Sequence, residues 1–226
     1  MHPLLNELEP DTLENKERLR RYVERYFDTP LTSTESTALF AAIWGDAPLF
    51  ASVAQSCDLS FKHDIVLEAA TLYGHAEILD IYLSHSPPTS ISEEMLRLTI
   101  RKGHFETFKT LYPHRPQQTQ GISFHDYAIE KNAIDHVRFM IENHNKLSVD
   151  FSTFWKVLND KNLEMASLIK PYAERHSNYS IGVELYLNDE EKEFLATVDG
   201  YQAQKEQQEI NTSTPSINKK HHPFRF

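Results

Sequence analysis

The chain has 226 residues, 40% of them apolar and 25% charged, an ordinary globular composition with enough apolar matter for one sizeable domain or two small ones. Its 33 acidic and 23 basic side chains give a formal charge of −10, and because residues 201–226 hold four basic and two acidic ones the body before them carries −12, which excludes a general nucleic-acid binder. The single cysteine, Cys57, excludes an internal disulfide or a cysteine-rich zinc module and fits a reducing compartment, and no apolar run approaches the roughly 18 residues that a membrane span needs.

The opening MHPLLNELEP has neither a basic start nor an apolar core of signal-peptide length, so the expectation is a soluble, unprocessed, cytoplasmic chain. Residues 12–27 predict a helix. Asp11 and Glu14 stand at capping-box spacing, and Glu14 with Arg18 and Glu17 with Arg21 form i,i+4 pairs. Its apolar Leu19, Tyr22, Val23, Tyr26 and Phe27 need a surface to cover, which assigns residues 1–31 to a cap on the neighbouring segment.

From residue 32 onward the chain is periodic. Only six glycines are present, and Gly45, Gly74 and Gly103 are 29 residues apart. The same step reaches Asn132, the other residue that tolerates the left-handed backbone used to end helices, and then Lys161. Four positions before each step stand Ala41, Ala70, Thr99, Ala128 and Val157; five after it stand Phe50, Leu79, Phe108, Val137 and Ala166; eight after it stand Val53, Tyr82, Leu111, Met140 and Ile169. Apolar residues recur at helical spacing on both sides of the step, as in Val66, Ala69, Ala70 and then Ile78, Leu79, Tyr82, Leu83, so each unit reads as two short antiparallel helices. Pro30, Pro87, Pro88, Pro113, Pro116 and Pro171 fall where the scheme wants breaks, and Pro48 falls in a first turn. Thr32 with Glu35, and Ser90 with Glu93, have capping-box spacing. No segment alternates like a strand.

Residues 66–86, VLEAATLYGHAEILDIYLSHS, resemble the ankyrin repeat, whose helices read roughly LHxAAxxGHxEIVxxLLxxG, and residues 96–112, LRLTIRKGHFETFKTLY, resemble it more weakly. The match holds at Ala69, Ala70, Gly74, His75, Glu77, Ile78, Leu79 and Leu83, then at Gly103, His104, Glu106 and Phe108. Residues 36–56, 125–143 and 154–172 fit by register, for about 140 residues in all. Two departures stand out. The period is 29 rather than about 33, and Ile65 and Val66 replace the Thr-Pro of the opening that organises the projecting finger. The resemblance implies an all-α solenoid of five to six ankyrin-like helix-turn-helix repeats across 32–199, with a shortened or missing finger. A degenerate sixth unit, Leu187-Asn188-Asp189 with Glu193, Phe194, Leu195 and Val198, closes the array. Beyond Gly200 the chain turns polar, and a flexible tail is expected over 200–226.

No Walker loop, dinucleotide glycine fingerprint, HExxH or nucleophile elbow is present, so the expectation is a non-enzyme without cofactor or metal and with no small-molecule substrate. The one thiol reading places Cys57 on the same edge as His85, with His63 and Asp58 near in sequence. His85, His114 and His144 align roughly by period, but helices packing about 8–10 Å apart keep three such side chains from one ion, and they read as solvated loop residues. His75 and His104 read as structural hydrogen bonds at the helix turn, and the acidic column Glu77, Glu106, Asp135 and Glu164 as a repeated helix-start device.

The two positions before the turn residue are polar in units three to five (Arg101-Lys102, Glu130-Lys131, Asn159-Asp160) and apolar in units one and two (Ile43-Trp44, Leu72-Tyr73). Two readings stand for this patch: the amino-terminal helix folds over it as a cap, or Trp44 and Tyr73, with Ile43 and Leu72, anchor a partner. Trp155 is a second anchor candidate. The expected function is non-catalytic binding of a partner protein through the repeat surface, as adaptor or scaffold. An inhibitor of a single enzyme and a Cys57 thiol enzyme are the alternatives. The divergent array, the acidic run 189–193 and the tail ending Pro-Phe-Arg-Phe also look like a bacterial effector delivered by a type IV system into a host cytoplasm.

Overall fold

The computed structural model describes residues 30–86, 91–115, 124–143, 149–175 and 178–213, together with Arg18, Arg21 and Arg25. Among the described residues the chain is all-helical, with twelve α helices, one 3-10 turn (Tyr112–His114) and no strand. It divides into two compact units, residues 1–145 and 146–226.

The first unit contains α1 (Ser33–Trp44), α2 (Ala47–Ala54), α3 (Phe61–Tyr73), α4 (Ala76–His85), α5 (Glu93–Lys102), α6 (Phe105–Leu111), α7 (Phe124–Glu130) and α8 (Ile134–Asn143). The 29-residue step is written into its backbone. Gly45, Gly74 and Gly103 have φ of 75°, 79° and 74°, and Asn132 has φ of 53°, so the same left-handed residue ends α1, α3, α5 and α7. The cap amide of Gly45 donates to Ala41 O, and that of Gly74 to Ala70 O, as expected for a left-handed C-terminal cap. Each second helix opens two residues later. First helices pack in sequence, α1 on α3, α3 on α5, α5 on α7, and so do second helices, α2 on α4, α4 on α6, α6 on α8. The predicted columns are the glue. Ala41, Ala70, Thr99 and Ala128 are buried, as are Phe50, Leu79, Phe108 and Val137, and each large member contributes about 1.5–3 kcal/mol.

The start signals are local. Thr32 and Glu35 form a capping box, with Thr32 Oγ1 accepting from Glu35 N and Glu35 Oε2 accepting from Thr32 N at 2.7 Å. Asp46 accepts from Leu49 N at the start of α2, whose Pro48 costs no hydrogen bond. At α5 the cap is Ser92, whose hydroxyl accepts from Met95 N, rather than the expected Ser90, which lies outside the described residues. Of the predicted amino-terminal helix, Arg18, Arg21 and Arg25 are helical and exposed; the rest of 12–27 lies outside the described residues.

The second unit holds α9 (Phe151–Asn159), α10 (Leu163–Ala173), α11 (Tyr179–Tyr186) and α12 (Asp189–Ser213). The step persists once more, since Lys161 turns α9 into α10 with φ of 51°. It then fails. Leu187 at φ −82° and ψ 129° makes an extended turn, and α12 starts three residues ahead of the register.

Two expectations are corrected here, and they share a cause. Pro171 stands inside α10 instead of between units. Lacking an amide hydrogen, it leaves Ser167 O without its helical donor, and the side-chain amide of Gln202 on α12 donates to that carbonyl at 2.5 Å. The polar segment from residue 200, expected as a flexible tail, accordingly continues α12 to Ser213. Val198 is buried, and Lys170 Nζ lies 2.9 Å from Asp199, so the helix is anchored early and runs on through good helix formers. Residues 214–226 lie outside the described residues.

Candidate functional site

The turn edge of the first unit is built by histidine. His75 and His104 occupy the N-cap positions of α4 and α6 without capping them. Instead His75 Nε2 donates to Ile43 O at 3.1 Å and His104 Nε2 to Leu72 O at 3.0 Å; a carbonyl only accepts, which fixes the proton on Nε2. The rings fill the space beside the preceding glycines. A Cβ on Gly45 would stand 2.7 Å from the His75 ring, and one on Gly74 2.6 Å from the His104 ring. These two glycines are therefore required both by φ and by close approach. Burial pulls the His75 imidazole below its ordinary value, a shift that the Ile43 carbonyl opposes and the nearby His104 reinforces.

Of the predicted anchors, Ile43 and Leu72 are corrected: both are buried, 5% and 4% exposed. The reason is that the later turns of α1 and α3 are buried on more than one side, with Ala38, Leu39, Ala41 and Ala42 buried on one and Ile65, Val66, Leu67, Ala69, Ala70 and Thr71 on the other, so the position two before the turn is packed. The position immediately before the turn opens to solvent. Trp44 is 37% exposed and stacks on Phe40 with ring centroids 6.1 Å apart. Tyr73 is half-buried, its ring 6.4 Å from that of His75, and burial pushes its phenol up. The next two members of this column, Lys102 and Lys131, are exposed. Leu49, on α2 just past the first turn, is 39% exposed; nothing in the periodic pattern marked it.

Trp155 belongs to the second unit. It is 39% exposed, yet its indole N–H donates to Glu191 Oε1 at 3.0 Å, so it ties α9 to α12 as well as facing solvent. Glu191 is itself buried, and its other oxygen accepts from Asn188 N at 2.8 Å while Asn188 Oδ1 accepts from Glu191 N.

Cys57 is half-buried. Burial pushes its thiol up, and the carboxylates Glu35 and Asp58 push the same way, the opposite of what a thiolate nucleophile needs. Its Sγ donates to Asp58 O at 3.7 Å, while His85 Nδ1 is engaged with Ile81 O and Ser84 Oγ; the side chain of His63 lies outside the described residues. His85 and His114 are exposed, and His144 lies outside. Among the described residues no group of three or more His, Cys, Asp or Glu side chains is placed to hold a metal ion, and no helix is long and apolar enough to cross a membrane. The acidic column sits in first turns, with Glu106 paired to Lys109 at 2.6 Å and Asp135 to Arg138 at 3.3 Å.

No protein family, curated protein or solved structure matches the chain.

Proposed function

We propose that the chain is a non-catalytic protein-binding module, a solenoid of ankyrin-like helix pairs that presents its turn edge, centred on Trp44 and Tyr73, to a partner protein. The observation that carries this reading is the left-handed turn recurring in the first unit at Gly45, Gly74, Gly103 and Asn132, because stacked pairs of one period offer a continuous face. Aromatic side chains that are part-buried and part-exposed suit the role of anchors, since their rings lose little freedom when a partner covers them. The raised Cys57 thiol favours this reading over a thiol enzyme.

Trp44→Ala with Tyr73→Ala should abolish partner capture and the matching crosslinks while the far-ultraviolet circular dichroism stays unchanged. Capture and crosslinks that survive both replacements would remove the turn edge as the site.

A further inference from the structure

The turn edge of the first unit differs from one end to the other, and the difference is laid out in register. The same backbone contact closes each turn: the amides of Asp46, His75, His104 and Ala133 donate to the carbonyls of Ala41, Ala70, Thr99 and Ala128 at 2.9 to 3.1 Å. The first helices that end in these turns pack one on the next, and His75 and His104 bridge successive turns. The residue before the turn therefore recurs along one edge as Trp44, Tyr73, Lys102 and Lys131, at intervals of about 8–10 Å.

The first two members are aromatic, Trp44 at 37% exposure and Tyr73 half-buried, and the last two are exposed ammonium groups. The end of a helix favours a cation, but α1 and α3 end in the same turn on an aromatic ring, so the turn does not dictate the change. Nor do internal ion pairs. Arg97, Arg101, Lys109 and Arg138 each hold a carboxylate of their own helix, respectively Glu93, Glu94, Glu106 and Asp135. Among the described residues Lys102 and Lys131 hold none, although 33 acidic side chains are present against 23 basic ones; Lys131 Nζ lies over the Tyr127 ring, 5.7 Å from its centroid.

The carboxylates of this edge are distributed the opposite way. At the lysine end Glu94, Glu106 and Asp135 are taken by the pairs just named, which leaves Glu130 against Lys102 and Lys131. At the aromatic end Asp46 and Glu77 are exposed, and residues 40–50 and 70–80 contain no lysine or arginine. Successive members of the edge stand about one screening length apart at physiological salt, roughly 8 Å. A partner's carboxylates are therefore drawn to Lys102 and Lys131 and turned away by Asp46 and Glu77.

An extended chain advances about 3.3 Å per residue, so every third residue of a strand laid along the edge meets its next member. We propose that the edge takes an extended segment of a partner protein in which two apolar side chains, set on Trp44 and Tyr73, and two carboxylates, set on Lys102 and Lys131, follow one another at three-residue intervals. This partner chemistry rests on the turn edge being the binding surface.

The test is selection of short random displayed peptides on the full chain. The selected peptides should be net acidic, with two apolar residues and two Asp or Glu at three-residue spacing. At low salt they should bind about tenfold or more weakly to Lys102→Glu with Lys131→Glu, the two proteins should converge at high salt, and the charge-reversed protein should select lysine or arginine at the same two places. Both lysines are exposed, so this variant changes the charge without touching the core. A selection that yields no peptide, or basic ones, overturns the proposal. Peptides lost on Trp44→Ala with Tyr73→Ala but indifferent to the lysine variant overturn it while leaving the turn edge as a binding surface; peptides indifferent to both variants remove the surface as well. A photocrosslinking residue placed at position 102 of the free chain distinguishes the other occupants. Crosslinks to a second copy or to residues 1–29 put the chain itself on the edge and overturn the proposal, and crosslinks to the added peptide alone support it.

Discussion

In the first unit, successive helix pairs are stitched by one device used twice: a histidine just past the turn donates to the carbonyl two residues before the preceding turn, His75 to Ile43 and His104 to Leu72. In the second unit the ties between helices are all different. Lys170 reaches Asp199, Trp155 reaches Glu191, and Gln202 repairs the gap left by Pro171. A repeated tie works only if chain length between its members is constant, so the first unit keeps its step of 29. Ties that recur nowhere else impose no interval, and α12 is accordingly free to start early and run long.

The sharpest way to break this contrast is to add one methyl group at equivalent turns. At Gly74 an alanine meets the His104 ring at 2.6 Å and must also hold φ of 79°; at Gly103, with Ala133 in the place of the next histidine, the added Cβ meets nothing and only φ of 74° opposes it. Gly103→Ala should cost about 1–2 kcal/mol from left-handed strain alone. Gly74→Ala should cost about 3 kcal/mol, since the displaced ring also forfeits a hydrogen bond of about 1 kcal/mol. Equal losses in urea unfolding would show that the histidine links carry no stability.

The second unit makes a smaller prediction, about 1 kcal/mol. Gln202→Ala orphans Ser167 O only while Pro171 is present. In a double-mutant cycle Gln202→Ala should therefore destabilise the wild-type background and be nearly silent in Pro171→Ala, where the helix supplies its own donor. Additive effects would mean that the amide is incidental.

The smallest effect is a pH dependence confined to one unit. His75 and His136 both have imidazoles held below the ordinary value of 6.5, chiefly by burial, with Asp135 opposing the shift at His136. His136 is 5% exposed, edge-on to Phe105 and Phe108 at 5.1 and 4.9 Å, with Nε2 unbonded. The folded state thus disfavours the proton that the unfolded chain accepts. Stability from these residues is complete above about pH 6.5 and falls as pH drops below it toward their folded values. The described residues of the second unit include no histidine. Between pH 7.5 and 5.5, amide exchange corrected for its intrinsic pH dependence should quicken in the first unit, around His75 and His136, and hold steady in α9–α12, and His136→Phe should blunt the response. Uniform quickening across both units contradicts the assignment.

The same contrast explains how much of the fold is legible in the chain alone. The turn residues, the buried columns and Trp44 at the rim can be read because a repeat writes its structure several times, and each copy checks the others. Ile43 and Leu72 are misplaced by such a reading because hydrophobic periodicity marks which residues are apolar, whereas the burial of the position two before the turn depends on neighbours packed on more than one side of the later turns of α1 and α3. Pro171 reads as a break to any local rule; the donor that rescues it comes from 31 residues further on. The helical stretch 200–213 is hidden for the same reason, its anchors being single polar ties.

Excision of one whole period tests the central claim most directly. Joining Gly74 to His104, with residues 75–103 removed, restores the Gly-His turn and leaves every column in register. Thermal unfolding monitored by circular dichroism should show a cooperative helical protein of lower Tm, one helix pair shorter, while removal of residues 75–99 should abolish the transition. A period-length excision that fails to fold, or an off-period one that folds equally well, would contradict the account.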